Sequence, residues 1–485
     1  MARLTPTRRQ FVAGTVATGL SLWTSTRLRA AGANDDIRVA VVGINGRGGD
    51  HINAFSKIPG VRVVALCDAD QAVLDRRTAE LDKKGIKATG YLDIRQLLDS
   101  KEVDAIAIAS PNHWHSLMTV WGCQAGKDVY CEKPVSHTIF EGRQCVNAAA
   151  KYNRIVMAGT QRRSDLGYHE AWDYIKKGNL GKILCARGFC YKPRPSIGKT
   201  VGPQPIPKTV NYDLWCGPAP MDPLRRKNLH YDWHWVWPTG NGDIGNQGIH
   251  EMDLCRWALG EPALAPRVYS FGGRFVVDDD ATTPNTQVAV FDYPTAPLIF
   301  EVRGLPRKAN EQGYVMDNYR GVRIGVVIQC ENGYFAGGET GGWIYDNNNQ
   351  RIRQFKQNGP EKHQANFIKA VRSRKQSDIT APIVEGHLSS ALCHMANVSY
   401  RLGKTTPADQ IAEQVKSNKQ ALDSLDRMKD HLAKNGMDLD RLAPNLGPVL
   451  TMNPQTEQFT GPLADQANKL ATRDYRKPYE VPNLA

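Results

Sequence analysis

Hydrophobic positions first crowd together in IRVAVVGI, residues 37–44, where six of eight side chains are aliphatic. A run that dense, without alternation, predicts a strand buried on both faces. VRVVALCD (61–68) predicts a second strand, and the spacing over Gly46–Ser56 predicts a helix between them. The rhythm continues through LDRRTAELDKK (74–84, helix), DAIAIAS (104–110, strand), HSLMTVWGCQAG (115–126, helix) and DVYCE (128–132, strand). FEGRQCVNAAAKYN (140–153) then reads as a helix and RIVMAG (154–159) as a strand. Strands and helices alternating at this length predict a doubly wound parallel sheet with helices on both faces, over residues 34–160.

The texture changes after HEAWDYIKKGNLGK, residues 169–182, which predicts a helix. ILCARGFCYKP (183–193) is strand-like, and a Pro/Gly-rich loop follows to about Pro223. RVYSFGGRFVV, TQVAVFDYP, PLIFEVRGL, GVRIGVVIQCENGYFAGG and GGWIYDNN are successive strand candidates separated by Gly, Asn and Pro turns. They predict an α+β domain on an open mixed or antiparallel sheet, residues 161–405. HQANFIKAVRS and HLSSALCHMANVSYRLG have amphipathic helical spacing. A charged helix over about 407–434 and an extended Pro-rich tail fill residues 406–485.

The length, 485 residues, exceeds what one core usually supports, in agreement with two domains. The net charge of +13 falls to +8 once residues 1–33, with five arginines and no acid, are set aside. With no clustered basic helix and no aromatic-basic motif, the expectation is no nucleic-acid partner. Thr7-Arg8-Arg9-Gln10-Phe11-Val12 resembles a twin-arginine export signal, and Ala31-Gly32-Ala33 suits cleavage. Residues 1–33 are therefore expected to be a signal peptide read by the twin-arginine export machinery, and the protein to be periplasmic or otherwise exported. The apolar stretch is too short and interrupted for a membrane span. Ten cysteines stand singly with no C-x-x-C, so no metal site is expected. Cys185 and Cys190 leave one disulfide open.

Glycines crowd the first strand-to-helix turn, VVGINGRGGDH. Gly43 and Gly48 fill the outer places of G-x-G-x-x-G and Asn45 holds the middle one. Backbone amides of Gly43, Asn45, Gly46, Arg47 and Gly48 would approach a pyrophosphate at a helix N-terminus. Asp68 ends the second strand, 20 residues past Gly48. A carboxylate there accepts from a ribose 2′-hydroxyl and repels a 2′-phosphate, favouring NAD, with NADP kept as the alternative because Arg47 and Arg62 lie near. Ligands of such sheets bind beyond the strand C-termini, which adds Ser110, Asn112, His115, Glu132 and Lys133 to the expected cofactor edge. Gln161 and Arg162 begin the second domain beside the same cleft, and His234 and Trp235 are its aromatic candidates for a sugar face.

Glycine turn, CDAD, SPNHWH, GKDVYCEKP and GTQRR together resemble the glucose–fructose oxidoreductase/inositol dehydrogenase (Gfo/Idh/MocA) family over nearly all the chain after residue 36. The resemblance implies a Rossmann domain, an α+β domain often used for homo-oligomerisation, a nicotinamide cofactor and a sugar or cyclic polyol substrate. It also implies that Lys133 is catalytic, before a Lys-Pro bond often cis in the family, and that His250 is the catalytic histidine. The family commonly carries Asp four residues before that histidine, and here the residue is Asn246. Asn cannot act as a base, though it can bind a substrate hydroxyl. Lys133 and His250 then share the proton in an oxidoreductase acting on a carbinol carbon. Two other readings stand beside it: redox-neutral glycoside cleavage with a retained, tightly bound NAD, and an inactive sugar-binding module.

Overall fold

The computed structural model describes residues 36–311 and 315–484. The expected signal peptide lies outside them.

Strands β1 (Ile37–Val42), β2 (Val61–Cys67), β3 (Thr89–Tyr91), β4 (Ala105–Ile108), β5 (Asp128–Cys131) and β6 (Val156–Ala158) form one sheet in the order β3-β2-β1-β4-β5-β6. Every pairing is parallel. The order reverses between β1 and β4, the switch point at which such folds open a crevice. Strands β4 and β5 are buried at every position, as their unbroken apolar runs predict. Neither β3 nor the helix Ile94–Asp99 was expected. Thr-Gly-Tyr is a short edge strand with little apolar surface, so it carries no pattern to read.

The second sheet is mixed. It contains β7 (Ile183–Cys190), β8 (Arg267–Gly273), β9 (Thr286–Phe291), β10 (Leu298–Arg303), β11 (Ile324–Cys330), β12 (Gly333–Gly338), β13 (Gly341–Tyr345) and β14 (Arg351–Lys356). Short strands β15 (Lys404–Thr405), β16 (Asn445–Leu446), β17 (Leu450–Asn453) and β18 (Gln458–Thr460) extend one end. β7 and β10 pair in parallel, while their neighbours run antiparallel. The single run 321–338 is in fact the hairpin β11–β12, folded at Glu331-Asn332. Helices Gly248–Leu259 and Ile383–Arg401 pack on one face around Phe300, Val326 and Met395.

The charged helix expected over 407–434 is two helices, Ala408–Val415 and Lys419–Lys434, the second capped by Asn418. Both cover the other face of the sheet through Ile411, Leu425 and Leu432. The tail is not merely extended either. It supplies β16–β18 and the helix Ala464–Leu470, then returns to the first domain. There Tyr479 is 1% exposed in the core with Trp114 and Leu117, and its hydroxyl donates to Asp213 at 2.8 Å. Helix His363–Ser373 likewise packs Phe367 and Ile368 against the first sheet. Both domains are thus sealed by chain that comes late in the sequence.

All ten cysteines are buried and free. Cys185 and Cys190 lie five apart on β7, so the pleat sends them to opposite faces, into different cores. Among the described residues no helix is long and apolar enough to cross a membrane.

Tyr479→Ala should cost about 3 kcal/mol or more, the usual loss for truncating a buried aromatic. A lowered urea midpoint for the first domain is the expected result, and an unchanged one would contradict the sealing role.

Candidate active site

A cleft of about 350 Å³ opens at the C-terminal edge of the first sheet. Gly43, Asn45, Gly46, Arg47, Asp68, Ser110, Asn112, His115, Glu132 and Lys133 all border it, as does Asn246 from the second domain. The glycine turn is shaped by close approach. Gly43 has φ +77°, and a Cβ there would lie 2.5 Å from the Ser110 backbone nitrogen. A Cβ on Gly48 would meet the Gly43 carbonyl oxygen at 2.1 Å. At Gly46 the space is open instead, so its missing side chain leaves a cradle at the N-terminus of the helix Arg47–Phe55. No side chain caps that helix. Arg77 donates to the carbonyl oxygens of Ile44 and Asn45 at 3.0 Å, which fixes the turn from behind.

Asp68 accepts from Ile44 N at 2.9 Å and Asp70 N at 3.1 Å, and burial pushes its carboxyl above the usual range despite those bonds. The two arginines that left NADP open are engaged elsewhere: Arg62 pairs with Asp36, and Arg47 with Glu132 and Asp50. Open amides at a helix N-terminus and a carboxylate at the cleft rim fit the pyrophosphate and ribose of NAD.

Glu132 is the buried hub. Its carboxylate accepts from Arg47 Nε at 2.9 Å and Gln161 Nε2 at 2.9 Å, lies 3.0 Å from His51 Nε2, and also receives the Lys133 amide at 3.1 Å. Burial opposes its charge, but His51, Arg47 and Lys133 outweigh that and hold it well below the ordinary carboxylate range. The Lys133–Pro134 bond is cis. Lys133 Nζ crosses to the second domain and donates to the Asn246 backbone carbonyl at 2.7 Å. Burial lowers its pKa, partly countered by Glu132.

Asn246 therefore meets Lys133 through its backbone, at the end of the helix Gly242–Asn246. His250 lies in the next helix, half-buried, with Nδ1 unpaired. Burial, then the Lys133 charge, keeps it a neutral imidazole. Asp253 turns away to Arg163, 2.8 Å off, and Ser389.

Several expected residues have other partners. His115 places both ring nitrogens on carbonyls, Pro134 O at 2.6 Å and Ser110 O at 2.7 Å, and so braces the cleft wall. Asn112 starts the helix Asn112–Gln124 and donates to Asn241 Oδ1 at 3.1 Å. Gln161 serves Glu132, and Arg162 donates to Glu339 O at 2.8 Å. Trp235 needs correction. It lies under Arg194, 5.1 Å from its ring centre, away from the cleft, while Trp233 and His234 border the cleft in a stack 3.6 Å apart. These residues occupy a 3₁₀ turn, Asp232–Trp235, where successive side chains diverge by about 120°.

The sequence did not reveal the strap that borders the cleft. Residues 206–235 run over its rim. Gln71 N donates to Thr209 O at 2.9 Å, Asn211 N to Ala69 O at 2.8 Å, and His230 Nε2 lies 2.9 Å from Asp70 Oδ2. Trp114 Nε1 holds the Leu214 and Trp215 carbonyls at 3.1 Å. Long-range contacts of a Pro/Gly-rich loop leave no periodic trace.

Residues 37–160 match the description "Oxidoreductase family, NAD-binding Rossmann fold", and residues 176–288 match that family's C-terminal alpha/beta domain. Both matched stretches are similar to the Gfo/Idh/MocA oxidoreductase family. Among its curated relatives, the inositol 2-dehydrogenase of Salmonella typhimurium is 32% identical over 180 residues, 37% of this chain and 52% of that protein. A glycosyl hydrolase family 109 protein of Shewanella sp. is 33% identical over 157 residues, 31% of this chain and 34% of that protein. The match thus spans about half the inositol dehydrogenase and a third of the glycosyl hydrolase. In fold, the chain is similar to the Bordetella pertussis WlbA dehydrogenase solved with NADH and UDP-GlcNAcA (TM-score 0.54, 19% identity, 74% of this chain and 94% of that one). It is also similar to an Agrobacterium radiobacter oxidoreductase solved with NAD+, L-tartaric acid and magnesium (TM-score 0.56, 14% identity, 75% and 95%). Among the described residues no cluster of metal-ligating side chains occurs.

Glu132→Gln should destabilise the protein by about 1.5–3 kcal/mol at pH 7, the usual loss for hydrogen bonds to a charged group, because Arg47, His51 and Gln161 lose the carboxylate on which they converge. A depressed carboxylate stabilises above its unfolded pKa and loses that contribution as pH falls through the folded one. The gap between variant and wild type in denaturant midpoint should therefore begin to narrow below about pH 4 and close only as pH falls through the lower folded value. A gap that stayed constant with pH would contradict the assignment of charge to Glu132.

Proposed function

We propose that the protein is an NAD-dependent oxidoreductase acting on a carbinol carbon of a sugar, glycoside or cyclic polyol. The observation that carries this reading is Lys133, a half-buried amine of lowered pKa at the sheet edge that borders the glycine turn. NAD, when bound, accepts or returns a hydride. The residues do the rest. Gly43–Gly48 and Asp68 hold the nucleotide, Trp233 and His234 present an aromatic face to a ring substrate, and the strap excludes water. Lys133 takes the hydroxyl proton as the C–H bond breaks. His250, neutral and with one open nitrogen, supports oxidation as base and reduction as acid.

Lys133→Ala should keep NAD affinity, read by nucleotide fluorescence, and lose about 10²–10⁴-fold in turnover, the usual share of a positioned proton-transfer group. Ordinary turnover in that variant would overturn the assignment.

A second reading is supported by the strap and by Asn246. A cofactor kept under the strap could be reduced and reoxidised within one turnover. Oxidation acidifies the neighbouring C–H, so a glycosidic bond leaves by elimination, with no net redox change. Cleavage of a glycoside panel by purified protein without added NAD supports this reading, and strict dependence on external NAD contradicts it. Export and homo-oligomerisation also remain proposals. The paired Arg8 and Arg9 support export. Arg8→Lys with Arg9→Lys should retain the precursor in the cytoplasm on fractionation, and unchanged export would overturn that signal.

A further inference from the structure

The strap meets the first domain on the Asp68 side of the cleft. Val210 bridges antiparallel to Asp70, just past the end of β2. In the sheet order, β2 and β5 lie on opposite sides of the β1–β4 switch point, so Asp70 and Lys133 stand toward opposite ends of the crevice.

Strap residues complete an apolar slot at the Asp68 end. Leu214 packs against the cluster that holds Ile94 and Trp114, and Leu92, Ile94, Leu214 and Trp215 all border the cleft. The Trp215 ring is held in place. Tyr212 stacks on it, with centroids 6.0 Å apart and planes 10° from parallel, and the Arg226 guanidinium lies 5.1 Å from its centre. Its carbonyl accepts from Trp114 Nε1 at 3.1 Å and lies 3.0 Å from His113 Nε2. A fixed aromatic and aliphatic slot suits a flat base.

His230 ties this wall to the ribose edge. Its Nε2 lies 2.9 Å from Asp70 Oδ2, and His230 itself borders the cleft. Asp70 is fixed in turn: its Oδ1 accepts from Ala72 N at 3.0 Å, and its own amide donates to Asp68 Oδ1 at 3.1 Å. One chain of bonds thus runs from the Asp68 carboxylate to a ring of the second domain.

We propose that Leu214, Trp215 and His230 complete the adenosine half of the nucleotide site. Leu214 and Trp215 form the wall against the base, and His230 is the latch that holds that wall to Asp70. The second domain then binds the half of NAD that takes no part in hydride transfer, as well as facing the substrate. The inference rests on the reading that the cleft binds NAD.

The test reads binding alone. Purified full-length protein is titrated by calorimetry with NADH, with AMP, which carries only the adenosine half, and with reduced nicotinamide mononucleotide, which carries only the other. His230→Ala should weaken NADH and AMP by about tenfold, the weight of one hydrogen bond to a charged group, and leave the mononucleotide unchanged. His230→Gln, which can still donate to Asp70, should restore most of that affinity. Unchanged NADH and AMP affinities in folded His230→Ala, or an equal loss for all the probes, would overturn the proposal. If that variant does not fold, hydrogen exchange of the wild type decides. AMP should slow exchange of the strap amides more than the mononucleotide does, and equal or absent protection overturns the proposal. A wild type that binds neither NADH nor AMP overturns the NAD reading as well, whereas NADH binding without dependence on His230 leaves that reading standing.

Discussion

One buried carboxylate organises the site. Glu132 joins the glycine-turn helix through Arg47 and His51, the start of the second domain through Gln161, and the cleft edge through the Lys133 amide. In a low-dielectric interior such a charge is tolerable only when every oxygen is answered. Gly159 shows how tightly it is enclosed: a Cβ there would lie 2.9 Å from the Glu132 carboxyl. The neighbouring Lys133 is consequently held at one place, with its amine directed across the cleft to the Asn246 carbonyl.

The second domain supplies the other wall. Its long helices bury their apolar faces on the mixed sheet, which sets Asn246 and His250 opposite the Rossmann edge. Asn241 connects the domains, accepting from Asn112 at 3.1 Å and donating to the His137 carbonyl at 3.1 Å, and Asn397 of the same domain holds it by donating to its backbone carbonyl at 2.9 Å. The strap then pins the rim at Ala69–Gln71. The cleft is thus lined by both domains.

Much of this was legible in the chain. The buried strands β1, β2, β4 and β5 declare themselves as unbroken apolar runs, and the chemistry sits at their ends, where such sheets bind ligands. Gly43, Asp68 and Lys133 follow those runs in the chain and line the cleft. The remainder depends on contacts between distant segments. Trp233 and Trp235 are two residues apart and chemically identical, and only the 3₁₀ geometry tells which borders the cleft. His230 meeting Asp70 spans 160 residues. The tail carries so few apolar residues that its strands and its anchor, Tyr479, are defined only by the surfaces they cover.

The central claim is that the cleft seats a nicotinamide nucleotide with its reactive end at Lys133. A crystal structure of the protein with NAD tests it most directly. The account predicts the pyrophosphate on the turn Gly43–Gly48, the adenosine ribose at Asp68, and the nicotinamide beside Lys133 and His234. A nucleotide bound elsewhere, or bound in this cleft with its nicotinamide at Asp68, would contradict it.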